Sequence, residues 1–122
     1  MEPAAVVEWT LIEECPFPKD LPEILIEGEV PVRAFKTLRD AAVFTNLRLI
    51  VRDSQGITGK KVEMYSLPYR SINMWSSETA GFLGANTEME LWTRAGQIKL
   101  KLGDRVNVRE LDLLISRVAL IP

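Results

Sequence analysis

The side chains that most often carry out catalysis are scarce in this chain. Its 122 residues include no histidine, so the most common general base and zinc ligand is absent. A Ser-His or Cys-His nucleophile is therefore excluded. The single cysteine, Cys15, follows Glu13 and Glu14, whose negative charges disfavour its thiolate. We predict a non-catalytic protein with no metal site and no cofactor.

Three other groups of residues have types that could do chemistry, but their surroundings favour an ordinary structural role. Glu88 and Glu90 alternate along a predicted strand with lysine partners opposite, and surface ion pairs carry little functional information. Residues 81–84 (GFLG) lack the GKS or GKT sequence of a phosphate-binding loop. Residues 59–61 (GKK) have a composition that is common in hairpin loops. None of these groups predicts an active site.

Composition and charge indicate a single domain in a reducing compartment. A length of 122 residues is typical of one domain. The net charge is −2 with both signs interspersed, whereas broad nucleic-acid binding needs a basic stripe. One cysteine cannot form an intramolecular disulfide, and neither a membrane-spanning apolar run nor the basic start of a signal peptide is visible. We therefore expect a cytoplasmic protein that does not bind nucleic acid.

The N-terminal residues are the hardest to assign. Residues 4–14 are ambiguous, because Pro3 followed by two alanines suits the start of a helix, whereas several β-branched residues favour a strand. Asp20 and Glu23 have the spacing of a capping box. This spacing predicts a short helix over residues 21–26.

From residue 30 the pattern changes to short strands in which apolar and polar residues alternate. The predicted strands cover residues 30–38, 40–44, 47–52, 62–67, 71–77, 88–93 and 97–102. We therefore expect one β-domain over residues 28–122. Residues 1–27 are interpreted as an N-terminal extension with a short helix and not as a second domain.

The last predicted hairpin has a register that its own sequence specifies. If Met89 faces Leu100, then Glu90 lies opposite Lys99, and residues of opposite charge pair on the polar face. A slip of one residue would place charged side chains opposite leucines. The sequence thus predicts one register for this hairpin.

A single helix is predicted after the strands. Asn107 is a favourable N-cap, and Glu110 follows at the spacing of a capping box. Apolar residues then recur on one helical face and must cover other apolar residues. They are Val108, Leu111, Leu114, Ile115 and Val118. The expected fold class is all-β with one C-terminal α-helix, which caps a seven-stranded antiparallel barrel or sandwich.

Three motifs occur in a distinctive order and spacing: VFTN before RLI at residues 43–50, TGKK at residues 58–61 and PYRSI at residues 68–72. Through them, residues 27–120 resemble the bacterial pleckstrin-homology (PH-like) domain family. The resemblance implies a seven-stranded PH-like fold capped by a C-terminal helix. It also implies a homo-oligomer, which could be ring-shaped.

Surplus apolar residues provide a first candidate binding surface. A strand with one exposed face should alternate, yet residues 41–44 are apolar on both faces. The second face must be covered, either by residues 1–27 folding back or by another subunit. We hypothesise that this second face forms a homo-oligomer interface. The tip of an apolar, glycine-flanked loop is a further candidate part of that interface. The candidate interface residues are Phe35, Ala41, Val43, Ile50, Phe82 and Leu83.

The expected function is a cytoplasmic binding or scaffold module that acts through homo-oligomerisation and contacts with an unidentified protein partner. The alternative is a membrane-surface adaptor that binds anionic lipid headgroups through Lys36, Arg39, Lys60 and Lys61. Eukaryotic PH domains that bind phosphoinositides use a basic cluster between their first two strands. The corresponding turn here has one arginine beside one aspartate, whereas stable membrane binding needs several cations.

Overall fold

One continuous sheet of eight strands forms the framework of the protein. A computed structural model describes residues 6–55, 61–78 and 87–121. The strands are β1 (Val6–Glu14), β2 (Pro31–Thr37), β3 (Asp40–Thr45), β4 (Arg48–Gln55), β5 (Lys61–Pro68), β6 (Ile72–Glu78), β7 (Thr87–Thr93) and β8 (Gly96–Leu102). Single 3-10 turns lie at Leu21–Glu23 and Tyr69–Ser71, and one helix, α1, spans Val108–Leu120. The helix predicted over residues 21–26 is thus a shorter 3-10 turn.

The strands lie in the order β5-β4-β3-β2-β1-β8-β7-β6. Neighbouring strands are antiparallel, except that β1 and β8 run parallel. Because β5 and β6 stand at the two ends of this order, the sheet formed by the described residues is open and has two free edges. The all-β fold with one C-terminal helix is confirmed. An eighth strand, β1, adds to the seven that were predicted.

Of the two alternatives for residues 4–14, the strand is correct for the described part. Residues 6–14 form β1, which lies between β2 and β8 and covers edges that both strands would otherwise expose. At the end of β8, a Cβ atom on Gly103 would lie 2.9 Å from the Ile12 carbonyl oxygen. Glycine therefore allows the two chains to approach closely. Within the predicted extension, residues 6–14 thus form an inner strand of the sheet.

The main core lies on one face of this sheet. Phe35 and Phe44 meet edge to face with ring centroids 5.8 Å apart, and α1 closes the core with its predicted apolar face. The helix begins at the expected cap, because the Asn107 side chain accepts a hydrogen bond from the Glu110 N–H at 3.1 Å. No helix in the described ranges has both the length and the apolar character needed to cross a membrane.

The predicted register of the last hairpin is confirmed. Met89 pairs with Leu100 and Glu90 with Lys99 across β7 and β8. The ionic contacts extend further than expected, because β1 lies on the other side of β8. Lys101 makes its ion pair with Glu8 of β1, with Nζ 3.0 Å from Oε1.

Candidate binding surfaces

Residues 15–29, which we call the N-terminal strap, cross the face of the sheet opposite the main core. Leu21, which is 3% exposed, packs with Ala34, Val43 and Ile50 in a second apolar cluster. The strap residues Cys15, Ile24 and Leu25 pack around that cluster. The second apolar face of the sheet is therefore covered by the chain itself.

A buried ion pair fixes the end of the strap. The Arg48 Nε atom lies 2.8 Å from Glu29 Oε2, and Arg48 Nη2 lies 3.0 Å from Glu29 Oε1. Thr45 Oγ1 also donates to Glu29 Oε2, at 2.7 Å. Burial alone would raise the pKa of the Glu29 carboxyl, but hydrogen bonds from Arg48, Thr45 and the Ile26 N–H outweigh it and hold this pKa below its ordinary value. Glu29 therefore remains charged in the interior.

A second arginine ties the strap to the sheet near its other end. Arg52 Nη1 lies 2.6 Å from Asp20 Oδ1 in the strap, and Arg52 Nε lies 3.6 Å from Asp40 Oδ2 in β3. The latter distance is too long for a hydrogen bond, and this Nε atom is buried without a hydrogen-bond partner. The strap is thus held by two neighbouring arginines of β4.

The structure places the predicted interface residues in two different parts of the interior. Phe35 belongs to the main core, whereas Val43 and Ile50 lie beneath the strap. Ala41 is also buried, with 6% of its surface exposed. Their apolar side chains are covered within one chain, so they offer no exposed surface to another subunit. Phe82 and Leu83 lie outside the described residues.

Among the residues that the structure describes, no strand pairs with the outer edge of β5. The Tyr69 N–H, just after β5, donates to the carbonyl of Leu47, just before β4, at 3.2 Å. Because backbone groups alternate in direction along a strand, the antiparallel register points the N–H groups of Val62, Met64 and Ser66 away from β4. Val62 and Met64 also expose 43% and 46% of their surface. At the opposite free edge, on β6, Met74 is 53% exposed.

The predicted anion-binding residues meet at one end of the sheet without forming a basic cluster. Lys36 and Arg39 are exposed beside the turn between β2 and β3. Lys61 is exposed at the same end, since it pairs with Gln55 at the tip of the next hairpin. Arg39 contacts Asp53, with Nη1 3.5 Å from Oδ1. Lys60 lies outside the described residues.

A cleft opens beside this turn, where β1 diverges from β2. Its volume is about 370 Å³. The paired register of β1 and β2 begins at Leu11 and Thr37, so the earlier residues of β1 pair with β8 alone. Trp9 of β1 and Tyr65 of β5 line the cleft together with Glu8 and Asp53. The cleft thus combines aromatic and charged groups that are distant in sequence.

The comparisons with known proteins agree with this architecture. A family model described as Bacterial PH domain matches residues 3–119. The chain belongs to the bacterial PH domain family. The matched range includes β1, so the family region extends well before the limit at residue 27 drawn from the sequence.

Two relatives of this PH domain come from Bacillus subtilis strain 168. The uncharacterized protein YjqA is 48% identical over 80 residues, which are 66% of this chain and 64% of YjqA. The aligned region therefore spans slightly less than two thirds of YjqA. The uncharacterized protein YozO is 29% identical over 99 residues, covering 81% of this chain and 86% of YozO.

Solved structures of bacterial PH proteins have the same fold. A DUF1696-family protein with a pleckstrin-homology domain from Shewanella loihica PV-4 superposes with a TM-score of 0.79 at 32% identity, covering 88% of this chain and 96% of that one. A pleckstrin homology domain from Shewanella amazonensis SB2B gives a TM-score of 0.66 at 37% identity, with 82% of each chain covered. Both likenesses show that the chain has a PH-like fold.

The residues that define the strap and the cleft have no local signal in the sequence. Glu29 and Arg48 each lie within the stretch that resembles the family, but no local spacing pairs them. Trp9 and Tyr65 belong to strands separated by three others in the sheet. The pairing of Trp9 with Tyr65 could have been inferred only if residues 6–14 had been assigned to a strand beside β2.

Proposed function

We propose that this protein is a non-catalytic, cytoplasmic binding or scaffold module that assembles with copies of itself through the free edges of β5 and β6. The observation that supports this proposal is the open sheet, which ends in two unlike edges. An exposed edge pairs readily with another strand. A contact between unlike edges is heterologous and generates a closed ring when the rotation permits.

The composition of the two edges favours such pairing. Natural sheets usually protect a free edge with charged residues, proline or a covering loop. The proline of β5, Pro68, stands at the last position of the strand. Nearer the start of the strand, Val62 and Met64 are half exposed. Met74 is exposed on β6. Methionine is flexible and adapts well to a partner surface.

Binding of anionic lipid has less support. Of the expected contacts, Arg39 already faces Asp53 at 3.5 Å, and Asp40 lies on the same turn. The net charge of −2 adds no general attraction to an anionic surface. A catalytic role would have to proceed without histidine.

Proline substitution at the edge of β5 tests the assembly directly. In Met64→Pro the chain loses an N–H that points away from β4, so the pairing of β4 with β5 should survive. We expect the wild type to sediment as an oligomer at micromolar concentration and Met64→Pro to sediment as a monomer. Met64→Ala, which keeps the N–H, should remain assembled.

Circular dichroism spectra would show whether the substituted chain keeps its sheet. If Met64→Pro does not fold, Val62→Lys and Met64→Lys provide a second route, because charged side chains also block edges. A wild-type monomer at micromolar concentration would refute the proposal. So would a folded Met64→Pro variant that assembles like the wild type.

A further inference from the structure

Two aromatic rings form a corner at the cleft beside the turn between β2 and β3. The ring centroids of Trp9 and Tyr65 are 5.5 Å apart, and the ring planes are inclined by 57°. The rings come from β1 and β5, which are not neighbours in the sheet. The pair therefore spans the gap left where β1 diverges from β2, and both rings line the cleft.

The charges around this corner are mainly negative on the side of Tyr65. The Tyr65 hydroxyl is hydrogen-bonded to Glu63, and this bond is the main reason why the pKa of Tyr65 is raised. Burial and the negative charges of Glu63 and Asp53 raise this pKa further, whereas the positive charge of Arg39 lowers it. Glu8 lines the same cleft. Arg39 and Arg52 also line it, so a ligand cation would meet carboxylates that already have cationic partners.

The cations that neutralise these carboxylates are held loosely. Arg39 lies 3.5 Å from Asp53, and its side chain is 64% exposed. The pair of Lys101 with Glu8 is also at the surface, with side chains 56% and 46% exposed. Exposed pairs of this kind contribute little free energy. A ligand cation can replace them without disturbing the fold.

We propose that this cleft is a binding site for a small organic cation with a methylated or primary ammonium head. The head would lie against the faces of Trp9 and Tyr65, where ring quadrupoles attract cations, and Glu8 and Asp53 would supply charge. The cleft volume of about 370 Å³ lies at the small end of the range for ligand pockets. Tyr65 belongs to β5, but the proposed site lies within one chain and does not require the assembly through β5 and β6.

Titration with tetramethylammonium chloride, followed by the indole N–H signals in ¹H–¹⁵N NMR spectra, tests the proposal. The Trp9 signal, assigned from Trp9→Phe, should shift to saturation, whereas sodium chloride at the same concentrations should not shift it. Trp75 provides an internal reference, because its indole nitrogen is 3.3 Å from Asp112 Oδ1 beside α1. Neutral tert-butanol, which has a similar shape, should bind much more weakly.

Matched variants separate cation binding from changes in the fold. Tyr65→Leu should weaken tetramethylammonium binding by roughly 3- to 30-fold, the range expected for loss of one aromatic face. Tyr65→Phe keeps the ring and should bind like the wild type. Glu8→Gln should weaken binding as well, since it removes a carboxylate that is partly exposed.

Choline and phosphatidylcholine vesicles distinguish a free small molecule from a lipid headgroup as the source of the ammonium group. Saturable binding of choline without sedimentation on vesicles identifies a free small molecule. Sedimentation that is lost in Tyr65→Leu identifies a headgroup. The site is refuted if tetramethylammonium gives no saturable shift, if tert-butanol binds equally well, or if a folded Tyr65→Leu variant binds like the wild type.

Discussion

Arg48 donates two hydrogen bonds to the two carboxylate oxygens of Glu29, of 2.8 Å and 3.0 Å, and Arg48 Nη2 also donates to the Ile24 carbonyl at 3.0 Å. The Glu29 side chain has no exposed surface. A bidentate contact of this kind is stronger and more directional than a single hydrogen bond. It joins the end of the N-terminal strap to β4, directly beside the second apolar cluster.

Removal of the Glu29 charge should strongly destabilise the protein. In Glu29→Gln the Arg48 guanidinium stays partly buried without its counter-ion, and breaking such a pair costs about 3 kcal/mol or more. Urea unfolding followed by circular dichroism measures this change. Glu14→Gln is a matched control, because Glu14 contacts Arg33 only at 3.5 Å on the surface, and we expect a change below about 0.5 kcal/mol. In the double mutant Glu29→Gln/Arg48→Gln, the loss in free energy of unfolding should differ from the sum of the two single losses. A loss equal to that sum would contradict a direct interaction between the two side chains.

The protein should lose stability in acid in a way that depends on this pair. The pKa of Glu29 is held below its ordinary value of 4.5 and that of Asp112 below 3.8, so the unfolded chain binds protons first as the pH falls. The contribution of each group is complete above its ordinary pKa and is lost as the pH falls through the lower pKa of the folded state. Urea midpoints measured from about pH 6 to about pH 2 should decrease steeply in the wild type. They should decrease less in Glu29→Gln; identical slopes would contradict the assignment.

The apolar contact beneath the strap should be as important as its ion pairs. Leu21 is 3% exposed against Val43 and Ile50, so Leu21→Ala leaves a cavity and should cost about 2–4 kcal/mol. Ile26→Ala lies in the same strap, but Ile26 is 63% exposed. This control should change the free energy of unfolding by less than about 0.5 kcal/mol. Equal unfolding midpoints for the two variants would show that the strap does not cover a true core.

Features with local signals were predictable from the sequence, and features that depend on distant pairing were not. The register of Met89 with Leu100 follows from alternation along two adjacent strands, and the start of α1 follows from Asn107 as an N-cap. The surplus of apolar residues around Val43 correctly indicated a covered second face. The sequence could not decide what covers it, because Leu21 reaches Val43 only after the chain turns back over the sheet.

The same limit applies to β1 and to the cleft. A parallel pair such as β1 with β8 has no hairpin turn to reveal it, so nothing near residues 6–14 specified their partner. The corner between Trp9 and Tyr65 depends on that unpredicted strand. The residues proposed for lipid binding were predicted by analogy, and their local neighbours Asp40 and Asp53 reduce their positive charge.

Asp112 should fix the orientation of α1 on β6. The Asp112 carboxylate accepts hydrogen bonds from the Ser77 hydroxyl and, at 3.3 Å, from the Trp75 indole N–H. These bonds hold the pKa of Asp112 below its ordinary value, and the bond from Ser77 contributes most. Asp112→Ala leaves three partly buried donors, on Trp75, Ser77 and Ser116, without this acceptor, which should cost about 1–3 kcal/mol. Urea unfolding measures the cost, and the Trp75 indole signal in NMR spectra should shift. Arg109 lies on the exposed side of the same helix, so Arg109→Ala should change neither the stability nor the Trp75 signal. An Asp112→Ala variant as stable as this control would contradict the role assigned to the carboxylate.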